Sequence, residues 1–143
     1  MDNTFYYKRD SKKSVKMSRN IKNKLHSGDI LTFFGNLYSD KSYIKKVASS
    51  KITYKILDVS SKGVLIKTTN KYIFSGENSI TFQGRIFSKN LKIENSILKS
   101  YTVKNSSLAL LKGTKKYEYS YGNCEYIIND NGLSSVKIMV GII

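Results

Sequence analysis

The middle of the chain alternates. From Ile52, the letters ITYKILDV place Ile52, Tyr54 and Ile56 on one face and Thr53 and Lys55 on the other, the period of two expected of a half-buried strand. SSKG turns the chain, and GVLIKT repeats the pattern with Val64 and Ile66 against Leu65 and Lys67 before TNK leads into YIF. SGENS makes the next turn. In ITFQGRIF, Ile80, Phe82, Gly84 and Ile86 share one face and Thr81, Gln83 and Arg85 the other. Runs joined this closely predict an antiparallel meander, and Gly84 predicts a bend or bulge such as a small barrel needs at a corner.

The flanks extend the pattern. DILTFF, from Asp29 to Phe34, predicts a first strand ended by Gly35-Asn36. Leu91, Ile93, Ile97, Tyr101 and Val103 keep one parity, with Asn95 and Lys99 as polar exceptions that predict a break or a change of sheet. Tyr117, Tyr119 and Tyr121 alternate with Lys116, Glu118 and Ser120. Gly122-Asn123 then signals a hairpin, CEYIIN returns, and Asp130-Asn131-Gly132 signals another before LSSVKIMVGII. Helical spacing occurs twice. Met17, Ile21 and Leu25 recur every fourth residue behind possible caps at Asp10 and Ser11, predicting a short amphipathic helix over 11–25 or else a solvated tail. Tyr43, Ile44, Val47 and Ala48 follow Asp40 as one or two helical turns would, or as a loop with its lysines exposed. The predicted fold is mainly β: a small antiparallel barrel or two-sheet sandwich over 28–143, preceded by a basic, partly helical N-terminal arm over 1–27.

Length and composition narrow the setting. The 143 residues suit one domain with one core. No apolar run approaches the roughly 18–20 residues of a membrane span. The first 27 residues lack the apolar stretch of a signal peptide, so a cell-interior or virion location is expected. Cys124 is the single cysteine, which fits a reducing compartment and reads as a small strand residue rather than a nucleophile. His26, the single histidine, reads as a turn residue before Ser27-Gly28. Neither a metal site nor a cofactor is expected, because His, Cys and carboxylates are scattered.

Charge changes the picture most. Lys and Arg number 25 against 10 Asp and Glu, a net charge of +15, and only Arg9, Arg19 and Arg85 are arginines. Abundant Asn, Ile, Lys and Tyr with no Pro or Trp read as translation of an AT-rich genome, as in low-GC bacteria, their phages and some viruses. Such a bias would raise glutamate as well as lysine, yet Glu stands only at 77, 94, 118 and 125. The excess therefore points to a polyanionic partner.

Non-catalytic nucleic-acid binding with little sequence specificity is the leading expectation. Lys8, Arg9, Lys12, Lys13, Lys16, Arg19, Lys22 and Lys24 of the arm would contact phosphates, with Lys45, Lys46, Lys112, Lys115 and Lys116 extending the track. Tyr117 and Tyr119, in line with Tyr121, would stack bases or else line the core. The alternative is a structural subunit of a virion, phage neck or ribonucleoprotein assembly, with the arm threaded onto a protein neighbour. A third expectation is a metal-independent ribonuclease using Lys, Arg and Tyr to stabilise charge. Gly28-Asp29-Ile30 at a strand start is similar to the opening of some small toxin barrels. No catalytic set stands out otherwise, so no enzyme is expected.

Overall fold

The computed structural model describes residues 1–130 and 133–142. Asn131 and Gly132, two residues of the predicted last turn, lie outside the described residues. Eleven strands follow in chain order: β1 Asp2–Arg9, β2 Lys16–Met17, β3 Ile30–Tyr38, β4 Lys46–Ser60, β5 Gly63–Ile73, β6 Ser79–Ser88, β7 Ile93–Glu94, β8 Ile97–Leu98, β9 Val103–Gly113, β10 Ser120–Ile128 and β11 Ser134–Ile142. Eight of them close an antiparallel barrel in the order β1-β11-β10-β9-β6-β5-β4-β3, and β3 pairs back onto β1 through Tyr6 opposite Tyr38 and Arg9 opposite Gly35. The two-residue β2 continues the β1 edge along β3, and β7-β8 is a separate hairpin.

The expected meander is present and longer than the alternation alone implied. Ile52, Tyr54 and Ile56 point into the barrel, as do Val64 and Ile66, and Phe82 and Ile86. Gly35-Asn36 does not end β3. Gly35 is needed there because the Tyr7 ring crosses it, and a Cβ would sit 2.6 Å from Tyr7 Cε2 and 2.5 Å from the Lys8 carbonyl oxygen. Gly84 likewise marks a close approach, to the Leu108 side chain, while the β6–β9 irregularity falls at Thr81/Phe82. The break predicted between Leu91 and Val103 is the β7-β8 hairpin, turned by Asn95 and Ser96 at positive φ.

Neither predicted helix forms; among the described residues only 75–77 and 115–117 make short 3-10 turns. The basic arm is instead part of the barrel. Asp2–Tyr7 pair with Ser134–Met139 on one side, and Tyr6–Arg9 with Gly35–Tyr38 on the other. Beyond β2 the chain crosses an end of the barrel and buries Ile21 and Leu25 completely or nearly so. The four-residue spacing of Met17, Ile21 and Leu25 thus reflects anchoring rather than a helical face. Asp40 caps a loop, not a helix: its carboxylate accepts from the Ile44 and Lys45 amides, and β4 begins at Lys46.

The two barrel ends are closed differently. At one, Phe74 packs between Phe5 and Tyr117, with ring centroids 6.1 and 5.9 Å away. At the other, residues 18–29 and the β7-β8 hairpin lie together, the Ser96 amide donating to the Lys22 carbonyl and the Asn95 amide to Asn23 Oδ1. Ile21→Ala and Leu25→Ala should each cost about 2–4 kcal/mol in urea unfolding, as buried aliphatic truncations do. A solvated arm would give no loss at either position.

Candidate ligand cavity

Hydroxyls gather inside the barrel because tyrosine, serine and threonine occupy inward parities. Tyr54 on β4 stands edge-on to Phe33, with centroids 4.7 Å apart at 89°, and its hydroxyl lies 2.6 Å from that of Tyr126 and 2.8 Å from that of Tyr101. On β5, three successive inward residues form a second chain. Thr68 donates to Asn70 Oδ1, and Asn70 Nδ2 donates to the Tyr72 hydroxyl at 2.9 Å. These groups are satisfied without water.

Other interior hydroxyls are not. Tyr7, Ser50, Thr81 and Ser134 each bury a hydroxyl oxygen that makes no well-formed hydrogen bond, although the Tyr7 ring crosses Gly35 and brings its hydroxyl close to Ser50. Tyr7 and Ser134 are directly opposite one another on β1 and β11 and contribute to the wall of a cavity of about 340 Å³, their oxygens closed off from it. Its walls come from Phe33, Ile128 and the crossing segment Leu98–Tyr101, and its rim from Lys8, Arg9, Lys99 and Tyr43. Among the described residues no carboxylate or imidazole lines it. A larger groove, about 820 Å³, runs where β6 and β9 part beyond Gln83, with Phe87, Val103, Ile127 and Ile128 among its walls and the exposed Lys89, Lys104 and Asn105 beside them. None of the unpartnered buried hydroxyls borders that groove.

Burial keeps the tyrosines protonated. It raises Tyr7, with the positive charge of Arg9 opposing, and pushes Tyr101 up to about 12. Tyr54, Tyr72 and Tyr126 are raised further, again by burial first. Each is a neutral donor at physiological pH. Burial also raises the Cys124 thiol, leaving it inert as expected of a strand residue. Among the described residues no three His, Cys, Asp or Glu side chains cluster as metal ligands would.

The predicted basic residues scatter to different tasks. Arg19 is held by Asp29 in a two-pronged pair, Nε to Oδ1 at 2.7 Å and Nη2 to Oδ2 at 2.8 Å, and also donates to the Lys24 carbonyl. Asp29 is buried, and hydrogen bonding from Arg19 lowers its carboxyl below the usual range. Lys22 and Lys24 stay exposed on that crossing segment, while Lys12 gives its amide to Asp10. Lys8 stands 5.3 Å over the Tyr43 ring, beside Arg9 at the cavity rim. Lys13 and Lys16 lie over Phe34, and Lys13 and Lys46 join Lys51 and Lys71 around a shallow concavity on the outer wall. Lys45 sits in the 39–45 loop, and Lys112 is on β9 toward the Phe74 end. Lys115 pairs with Glu77 at 3.1 Å, and Lys116 lies 5.1 Å over Tyr117.

The tyrosine row does not exist. Tyr117 is buried in a 3-10 turn, Tyr119 adopts positive φ and is 76% exposed, and Tyr121 begins β10 on the outside. The tyrosines that converge are Tyr7, Tyr54, Tyr101 and Tyr126. Their signal was available: Tyr54 keeps the parity of Ile52 and Ile56, and Thr68, Asn70 and Tyr72 keep that of Val64 and Ile66. Polar residues on a core parity were the clue.

No family profile matches the chain, and no curated protein matches it in sequence. The barrel itself is a known one. A pyocyanin demethylase superposes with a TM-score of 0.71 at 16% identity, over 99% of this chain and 100% of its own. The pterocarpan synthase dirigent protein GePTS1 gives 0.68 at 15%, over 98% of this chain and 88% of its own. The related dirigent protein PsPTS1 gives 0.65 at 13%, over 98% and 92%. These likenesses establish the fold, shared by an enzyme and by dirigent proteins.

They also correct the nucleic-acid reading. The solved structures that share the fold are a pyocyanin demethylase and dirigent proteins, and the free basic arm and stacking row through which the charge excess was expected to act are absent. With β1 built into the sheet, there is no arm to thread onto an assembly neighbour. The Gly28-Asp29-Ile30 opening leads into β3 with Asp29 buried and paired to Arg19. As to membranes, no helix among the described residues is long and apolar enough to cross one.

Two outcomes follow from these charges and hydroxyls. A raised tyrosine value means the folded form holds its proton more tightly, so stability is whole below the ordinary value of 10.0 and falls as pH climbs through about 12, where Tyr101 titrates. Tyrosinate absorbance and circular dichroism should then change together in that window. On the outer wall Lys67 faces Lys55 on one side and Arg85 on the other. Lys67→Glu should raise the melting temperature by a few degrees in low salt, and added salt should erase the gain.

Proposed function

We propose that this protein binds a small, ring-bearing organic molecule in the cavity between β1, β3 and the Leu98–Tyr101 segment. The observation that carries the reading is a concave space of about 340 Å³ walled by Phe33, Leu98, Tyr101 and Ile128 and rimmed by Lys8, Arg9 and Lys99. Size agrees: about 340 Å³ lies at the lower end of small-molecule sites. An eight-stranded barrel has room for one small ligand once its side chains are placed.

The walls set the ligand's shape. Phe33, Leu98 and Ile128 offer apolar contact, while the Tyr101 ring and the rim Tyr43 offer faces or edges to an aromatic ring. The names of the proteins sharing the fold, a pyocyanin demethylase and pterocarpan synthase dirigent proteins, refer to small molecules as well. Binding is the activity these groups support, because the lining supplies neutral donors and apolar walls but no ionised base.

Calorimetry with bicyclic aromatic probes, both acidic and uncharged, tests this directly. At least one should bind with a dissociation constant in the micromolar to low-millimolar range, a span of about 4–8 kcal/mol. Ser100→Trp, at an exposed position on the cavity wall, should weaken binding at least about tenfold with an unchanged circular dichroism spectrum. Undiminished binding in that variant would move the site elsewhere, and binding of no probe would defeat the reading.

A further inference from the structure

The cavity's rim is cationic without compensation. Lys8, Arg9 and Lys99 line it, and among the described residues no acid does. Lys99 lies 4.0 Å from Glu94, and Lys8 rests over Tyr43, but Arg9 has no ion-pair partner among the described residues. Arg9 follows Tyr7 by two residues on β1 and so shares its inward parity, one step nearer the rim. Its charge is felt at both the Tyr7 and the Tyr101 hydroxyls.

Arg9 therefore stands at the lip of this space as a guanidinium held in no ion pair among the described residues, with Lys8 and Lys99 beside it. A guanidinium is a planar fork suited to two oxygens of a carboxylate. A cationic ligand would meet Lys8, Arg9 and Lys99 with no acid to receive it. An uncharged ligand would leave Arg9 with water alone.

We infer that the ligand is a ring compound bearing an anionic oxygen, a carboxylate or phenolate, clamped by Arg9 at the cationic rim of the cavity. This rests on the cavity being the ligand site, and it adds the charge class that site selects.

Three probes of one size separate the ideas: 2-naphthoate, its neutral carbinol 2-naphthalenemethanol, and 2-naphthylmethylammonium. Titration calorimetry of the whole chain should show naphthoate binding about tenfold or more tighter than the carbinol, with the ammonium weakest. Arg9→Gln, a change at an exposed position, should bring naphthoate and carbinol to near parity. Lys8→Gln serves as a control for general charge and should leave most of the preference intact.

Equal binding of naphthoate and carbinol to the unaltered protein would overturn the clamp while leaving the cavity reading in place. A preference that survives Arg9→Gln, or that Lys8→Gln abolishes instead, would also overturn it. Failure of all three probes to bind would strike the cavity reading itself.

Discussion

An eight-stranded barrel sends every second side chain of each strand into a space too narrow for bulk water, so each hydroxyl placed there must find its partner among its neighbours. Most of them do in this protein. Tyr54 ties β4 to β10 through Tyr126 and to the crossing segment through Tyr101, so one phenol joins three distant parts of the chain. Thr68, Asn70 and Tyr72 satisfy one another along a single strand. The accounting is incomplete at Tyr7, Ser50, Thr81 and Ser134, of which Tyr7 and Ser134 belong to the wall of the cavity.

The position of that cavity follows from how the ends are closed. Phe5, Phe74 and Tyr117 fill one end with aromatic rings, leaving no room for a guest. The opposite end is covered by chain rather than by rings. Residues 18–29 are fixed there by the Arg19–Asp29 pair and by the exchange of amides between Gly28, Asp29 and Ile56. That lid buries Ile21 and Leu25 but stops short of β1, and the Leu98–Tyr101 segment passes over the remaining space. A small rigid gap results between β1 and the crossing segment.

The charge that dominates the composition is placed by the same alternation. Outward positions carry lysine while inward ones carry apolar and hydroxyl groups. Lys51 opposes Lys71, and Lys67 lies between Lys55 and Arg85. Directly opposed like charges oppose folding modestly and keep the outer wall well solvated. Arg9 is different because its parity points it to the cavity. Three of the 25 cations, Lys8, Arg9 and Lys99, thus stand where a ligand's charge would matter, and composition gives no means to single them out.

Period-two alternation by itself determined the β class, the meander from Ile52 to Phe87 and the inward side of β4, β5 and β6, because side-chain direction in a strand is a local property. It also marked Leu91–Val103 as broken. It misread Gly35 as a turn, since the reason for that glycine is a ring from Tyr7, 28 positions earlier. It misread Met17, Ile21 and Leu25 as a helix, since a lid segment buries residues wherever they reach the core and a four-residue spacing does not say why. Only the tertiary structure decided that β1 closes the barrel, that Tyr54, Tyr101 and Tyr126 meet, and that Arg9 and the Leu98–Tyr101 segment border one cavity. Those are pairings between strands far apart in the chain, and register across a closed sheet is fixed by all eight strands together rather than by any stretch of letters.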